Sequence, residues 1–222
     1  MKNKILIIAA HPDDEVLGCF GTTARLIKEG YEAYTLILGE GKTSRNENNL
    51  EEQKNILENE LIMANNTIGI KKVFREYFSD NSFDDTNLLK IVKTIENVKN
   101  EIKPNIIFTH YENDLNIDHQ ITYKAVITAT RSLSNESVKE IYSFEILSST
   151  EWSYPLSFQP NVFFDISSTL DLKLKAMKCY KSELKDFPHP RSLEGIKLNA
   201  KYNGMRIGLK YAEVFKCIKI IK

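Results

Sequence analysis

A chain of 222 residues is long enough for one domain with a sizeable core. Its 42% hydrophobic and 27% charged residues are an ordinary globular mixture, which excludes low-complexity and fibrous classes. Thirty basic and thirty acidic residues cancel, so no broad basic face for nucleic acid is expected.

Read in chain order, residues 4–10 are apolar almost throughout, as a strand buried on both faces should be. This run meets His11-Pro12-Asp13-Asp14-Glu15, and it is too short and too polar at its end for a signal peptide. A helix follows, capped by Asp13 or Asp14, with Val16, Leu17, Phe20, Ala24, Leu26 and Ile27 at helical spacing; Gly30 ends it. Residues 33–38 form a second strand, and the polar stretch from Gly39 to Asn49 a loop. A helix over 50–68 and a strand over 73–78 come next. Leu88, Ile91, Val92, Ile95 and Val98 put one apolar face on a helix over 87–103, which Pro104 breaks. Residues 105–110 form a fourth strand, again ending in a histidine, and a helix carrying Ile121, Ala125, Val126 and Ala129 follows.

Strands alternating with helices at this spacing predict an α/β fold: a mostly parallel sheet between two helical layers. Right-handed crossovers bring the strand C-termini to one edge, so His11 and His110 open onto the same side. The pattern changes after residue 133. Strands are expected over 139–147, 161–166 and 211–221, and helices over 168–184 and 192–203. The whole chain, 1–222, reads as a single domain: a core over 1–133, and an extension over 134–222 whose strands and helices complete the site. No stretch approaches the roughly 20 apolar residues of a membrane span. Cys19, Cys179 and Cys217 form no CxxC pair, which argues against a disulfide framework or a cysteine zinc site. A cytoplasmic protein is expected, with a homo-oligomer allowed.

Packing alone does not explain an imidazole and three carboxylates at the tip of a core strand. Metal coordination and proton transfer do. Pro12 fixes its own φ and biases His11 toward extended geometry, and the two aspartates leave the turn in different directions. One ligates a metal with His11 while the other points at a water on that metal. The competing reading is a helix start, where acidic residues suit the dipole. The second constellation runs from His110 to His119 between a strand and a helix. Asp118-His119 offers a ligand with a carboxylate beside it, in competition with simple capping by Asp118. Two histidines and one aspartate with an open position suit a catalytic zinc site, and the same donors accept Fe(II) or Co(II). A nucleotide-binding reading is weak, because no GxGxxG follows the first strand.

Ala10-His11-Pro12-Asp13-Asp14-Glu15, then Gly18, and Asp114-Leu115-Asn116-Ile117-Asp118-His119 resemble the PIG-L/LmbE family of metal-dependent N-deacetylases. Thr43-Ser44-Arg45, Phe78 to Asp84, Ser143-Phe144-Glu145 and Phe187 to Ser192 resemble a branch found in bacterial surface-polysaccharide and amino-sugar pathways. The resemblance implies a Rossmann-like fold and removal of an acyl group from an N-acetylglucosamine-type sugar, free or nucleotide- or lipid-linked. It implies His11, Asp14 and His119 as metal ligands and Asp13 as general base. Many members carry His where this chain has Asn116, which donates to an oxyanion but does not shuttle a proton near neutral pH. The acid is then protonated Asp13, His110 or His189. Arg45, Asp80, Asn81 and Arg191 are candidates for substrate contacts, each with a bland alternative as surface charge or turn residue. Glu145 and Glu151 around Trp152 suggest a sugar platform. A sugar-binding homologue without activity is the competing class.

Overall fold

The computed structural model describes residues 3–41 and 50–222. Its sheet has the order β3-β2-β1-β4-β5-β7-β6. Strands β1 (Lys4–Ala9), β2 (Glu32–Gly39), β3 (Lys72–Phe78), β4 (Ile106–His110) and β5 (Glu140–Phe144) run parallel. Strand β7 (Ala212–Ile220) is antiparallel to both β5 and β6 (Val162–Asp165). The expected α/β architecture is therefore present, with an antiparallel pair added on the C-terminal side.

The all-apolar β1 explains the layering. Its side chains alternate between faces. Ile5, Ile7 and Ala9 join one core with residues of α1 (Asp14–Lys28), α2 (Leu50–Ile68) and α5 (Leu170–Met177). Leu6, Ile8 and Ala10 join another with α3 (Leu88–Ile102) and α4 (Ile117–Ala129). Helix α6 (Leu193–Met205) packs against β7. Gly18 permits the tightest contact of α1 with the sheet, since a Cβ there would lie 2.5 Å from the Phe144 ring.

Two expected elements are shorter than the sequence suggests. The strand over 139–147 ends at Phe144, where pairing with β7 stops at Phe215. The helix over 168–184 ends at Met177, and the chain turns so that buried Tyr180 reaches Glu15. Among the described residues no helix is long and apolar enough to cross a membrane.

From β1 the chain winds outward through β2 to β3, then returns to place β4 on the other side of β1. The sheet order reverses between β1 and β4, and a crevice opens beyond their carboxyl ends, where ligands bind in open α/β sheets.

Candidate metal centre and active site

His11 follows the tip of β1, and His110 ends β4. The turn after β1 is unusual. Asp13 occupies the N-cap position of α1 with φ 98°, in the left-handed region, and its side chain makes no capping bond. Such backbone costs of order 1–3 kcal/mol and persists where surrounding contacts fix it. Here the Asp13 amide donates to the buried Glu15 carboxylate at 3.0 Å. Glu15 is held in turn by Asn65 Nδ2 at 3.1 Å and Tyr180 OH at 2.5 Å. Burial raises Glu15 to a pKa of about 7, against the pull of the Tyr180 hydrogen bond. Asp14 does not cap either; its Oδ2 accepts from the His11 amide at 2.8 Å. The helix-capping alternative for the two aspartates therefore fails on geometry.

Asp14 is the centre of the cluster. His11 Nδ1 and His119 Nε2 each lie 3.4 Å from its Oδ2. The other nitrogen of each ring faces carboxylates. His11 Nε2 lies 2.8 Å from Asp80 and 2.9 Å from Asp118, and His119 Nδ1 lies 2.9 Å from Asp114. A carboxylate accepts, so each outer nitrogen carries a proton, and each inner nitrogen faces Asp14, where it offers its lone pair once its own proton is displaced. Histidines that ligate metals are oriented in this way by carboxylates. Asp14 Oδ1 is buried and has no hydrogen-bond partner in the protein. Two convergent ring nitrogens and an orphaned carboxylate oxygen fit a divalent cation held by His11, Asp14 and His119, whose donor atoms lie within 4.8 Å of one another.

The electrostatics agree. Burial opposes charge on His11, yet the Asp118, Asp14 and Asp80 carboxylates outweigh it and hold the ring well above its ordinary pKa. Burial likewise opposes charge on His119, and Asp14 and Asp114 raise it to about 9. Burial would raise Asp14, but the charge on His119 and the hydrogen bonds from His11 and His119 keep it well below the usual range. Asp114 is brought to about 2: burial opposes its ionisation, and the hydrogen bonds from His119, Ser149 and Thr150 prevail. The cluster attracts positive charge at its middle. His11, Asp80 and Asp118 form a second convergent group. Its carboxylates sit at hydrogen-bond distance from His11, and Asp118 also accepts from the Asn81 and Phe83 amides at 2.6 and 3.0 Å. That group reads as the clamp on His11.

Asp13 lies beside this centre and lines the pocket over it. Its Oδ2 meets Arg191 Nη1 at 2.9 Å. Burial pushes the Asp13 carboxyl well above the carboxylate range, and Arg191 pulls it partly back. Arg191 is itself anchored through Nε to Ser148 Oγ at 2.7 Å. A pocket of about 140 Å³ opens over these groups, lined by His11, Asp13, Asp80, Asn81, Asn116 and Arg191 among others.

Several expectations need correction. Asn116, not Asp118, caps α4: its Oδ1 accepts from the Asp118 and His119 amides, and its Nδ2 donates to Asn81. His110 is fully buried behind Asp14, and its Nε2 accepts from the Ala10 amide at 2.9 Å. Burial and the neighbouring His119 hold its pKa well below the usual value, so it stays neutral, and it does not line the pocket. His189 does not line the pocket; its Nδ1 accepts from the Arg191 amide, and its ring packs edge-on to Trp152 at 5.9 Å. Asp80 and Asn81 unite both of their readings, since Asn81 sits in a left-handed turn (φ 52°) and both line the pocket. Arg45, with Thr43 and Ser44, lies outside the described residues. Sequence reasoning gave no role to Asp114, Glu15, Ser149, Thr150 or Tyr180. An aspartate five residues before a site histidine is a signal for the first; nothing local marks the others.

Comparison with known proteins bears on the same segment. A probable N-acetyl-alpha-D-glucosaminyl L-malate deacetylase 2 of Bacillus cereus is 28% identical over 193 residues, 82% of this chain and 84% of that protein. The N,N'-diacetylchitobiose deacetylase structure from Pyrococcus horikoshii superposes with TM-score 0.78 at 22% identity, covering 98% of this chain and 84% of that one. GalB of Pseudomonas putida, a 4-carboxy-2-hydroxymuconate hydratase, superposes with TM-score 0.80 at 20% identity, covering 100% and 98%. Structural likeness at these identities shows the fold alone, and its bearers include both a deacetylase and a hydratase. Residues 6–130 match the model of the family described as PIG-L, GlcNAc-PI de-N-acetylase, and the chain belongs to this PIG-L (LmbE-like) family.

Proposed function

We propose that the protein is a metal-dependent N-deacetylase that hydrolyses the N-acetyl amide of an N-acetylglucosamine-type sugar to free amine and acetate. The observation that carries this reading is the convergence of His11 Nδ1 and His119 Nε2 on Asp14, with Oδ1 of that residue unpartnered. His11, Asp14 and His119 would hold the cation. When bound, a divalent ion supplies Lewis-acid chemistry, acidifying water toward a pKa of about 7 and polarising a carbonyl. The donor set suits zinc, with Fe(II) and Co(II) as alternatives.

The chain's own groups do the rest. Asp118 and Asp114 fix the tautomers of the two ligand histidines. Asp13 accepts the proton of the attacking water at its carboxylate and returns it to the departing nitrogen. Of the three candidate acids this leaves Asp13, since His110 is sealed off and His189 faces Trp152 outside the pocket lining. Arg191 orients the Asp13 carboxylate and pulls its raised pKa partly back toward the ordinary range. Asp80, Asn81 and Asn116 at the mouth offer acceptors and donors to sugar hydroxyls. Three free cysteines among the described residues suit the expected reducing, cytoplasmic setting.

The direct test is acetate release from N-acetylglucosamine glycosides. Chelation should abolish it, and Zn(II), Fe(II) or Co(II) should restore it. A protein carrying stoichiometric metal that releases acetate from no N-acetylated amino sugar would defeat the proposal.

A further inference from the structure

A second cavity, of about 580 Å³, lies beyond the turn at Thr150–Trp152 and belongs to neither the metal cluster nor the pocket over it. Its wall is α6. A helix face packed toward a sheet is normally apolar. This one carries Asn199, Asn203 and Arg206, at i, i+4 and i+7. They form a ladder: Asn199 donates to Glu145 at 2.8 Å, Asn203 donates to Asn199 at 3.2 Å, and Arg206 donates to Asn203 at 3.2 Å. Phe158 and Tyr202 supply aromatic surface in the same cavity. Fixed amides and a carboxylate beside aromatic faces match a pyranose, whose hydroxyls need donors and acceptors and whose C–H face needs apolar contact.

The cavity is joined to the reaction site by one turn. Arg191 touches Asp13 with Nη1 and Ser148 with Nε, and the Ser148 amide donates to the Glu151 carboxylate, which lines the cavity. Thr150, also lining it, donates to Asp114 behind His119. Trp152, Tyr154 and Leu156 are exposed along the loop that follows this turn, and the loop is pinned by Tyr111 OH on the Ser157 carbonyl at 2.8 Å. We infer that this cavity is a glycan subsite, holding a further pyranose ring of a substrate whose N-acetylated ring lies over Asp13.

The inference rests on the amino-sugar reading above, so its test separates binding from turnover. Trp152 is the single tryptophan of the chain; it follows Glu151 of the cavity wall and packs on His189, two residues before Arg191. Its fluorescence is titrated with N-acetylglucosamine and with its di- and trisaccharide. Affinity should rise about tenfold or more from the monosaccharide to the longest ligand. Tyr202→Ala and Asn199→Ala should erase that gain while leaving acetate release from the monosaccharide unchanged. Tyr202 is exposed, so its removal spares the core. Equal affinity for all three sugars, binding of none, or a length gain that survives both substitutions overturns the subsite. If the first of these accompanies acetate release, the deacetylase reading stands. A length gain without acetate release from any of the sugars removes the deacetylase reading and keeps the subsite.

Discussion

Two buried charged clusters lie against helix α1, and they differ in one respect. The first, around Lys173 and Glu213, is closed. Lys173 donates to Glu213 at 2.6 Å and to the Leu17 carbonyl at 2.7 Å. Glu213 accepts from the Gly21 and Thr22 amides at 2.9 and 2.6 Å. The pair thus bridges the Leu17 carbonyl and Gly21 amide, groups that face each other in a straight helix. Gly21 leaves the room, since a Cβ there would lie 2.9 Å from the carboxylate. The second cluster, around Asp14, is open: its Oδ1 lacks a partner, two histidine nitrogens face Oδ2 of the same carboxylate, and a pocket lies above. Buried charge alone therefore says nothing about chemistry. An unfilled valence at the end of an aligned set of donors does.

The largest effects are expected at the open cluster. Asp14→Asn should lose metal and reduce acetate release to background, as read by metal analysis and turnover on one preparation. Asp13→Asn should keep its metal and lose turnover by roughly 10²–10⁴, the usual contribution of a general base. Equal metal loss in both variants would show that Asp13 is a ligand and remove it as the base. Lys173→Met tests the closed cluster. It leaves Glu213 buried and unpaired, which should cost about 3–5 kcal/mol of stability in denaturant unfolding. Lys173→Met with Glu213→Gln should recover part of that loss. A large effect of Lys173→Met on metal affinity, measured below its unfolding transition, would show that the two clusters are not independent.

A smaller effect is expected one shell out. Asp114→Asn keeps the shape but takes the charge from behind His119, and metal affinity should fall about 10–100-fold. Unchanged affinity would mean that Ser149, Thr150 and the helix geometry hold His119 without the carboxylate.

What could be read from the amino-acid sequence follows from locality. The β1 run and its abrupt polar end are contiguous, so both the strand and the meeting of His11 with Asp13 and Asp14 are visible in one segment. Asp118-His119 at the start of α4 is visible for the same reason. The partners of these groups are not local. Tyr180 reaches Glu15 from 165 residues away, and Arg191 reaches Asp13 from 178. The resemblance points Asn116 at an oxyanion; its side-chain oxygen caps two helix amides, and Nδ2, the donor that role needs, faces Asn81, a partner 35 residues away. His110 and His189 look alike in the sequence; only burial separates a sealed neutral ring from one lying outside the pocket.

The smallest effect sharpens the contrast from the rim. Lys99 and Glu136 form a pair beside the surface groove between α3 and α4, with Glu136 half-buried and also accepting from the Val138 amide at 2.9 Å. Burial opposes ionisation of Glu136, and the bond from Lys99 outweighs it, so its pKa in the fold is lowered. A carboxylate with a lowered folded pKa stabilises the protein above its unfolded value, about 4.3, and that contribution fades as pH falls through the folded value. Between pH 7 and pH 3 the wild type should therefore lose more stability than Glu136→Gln, by about 1 kcal/mol or less, as read from urea midpoints. Identical losses would mean that this pair contributes nothing. A loss several times larger would place it with the closed, fully buried Lys173–Glu213 cluster, where partner removal leaves a charge that water cannot reach.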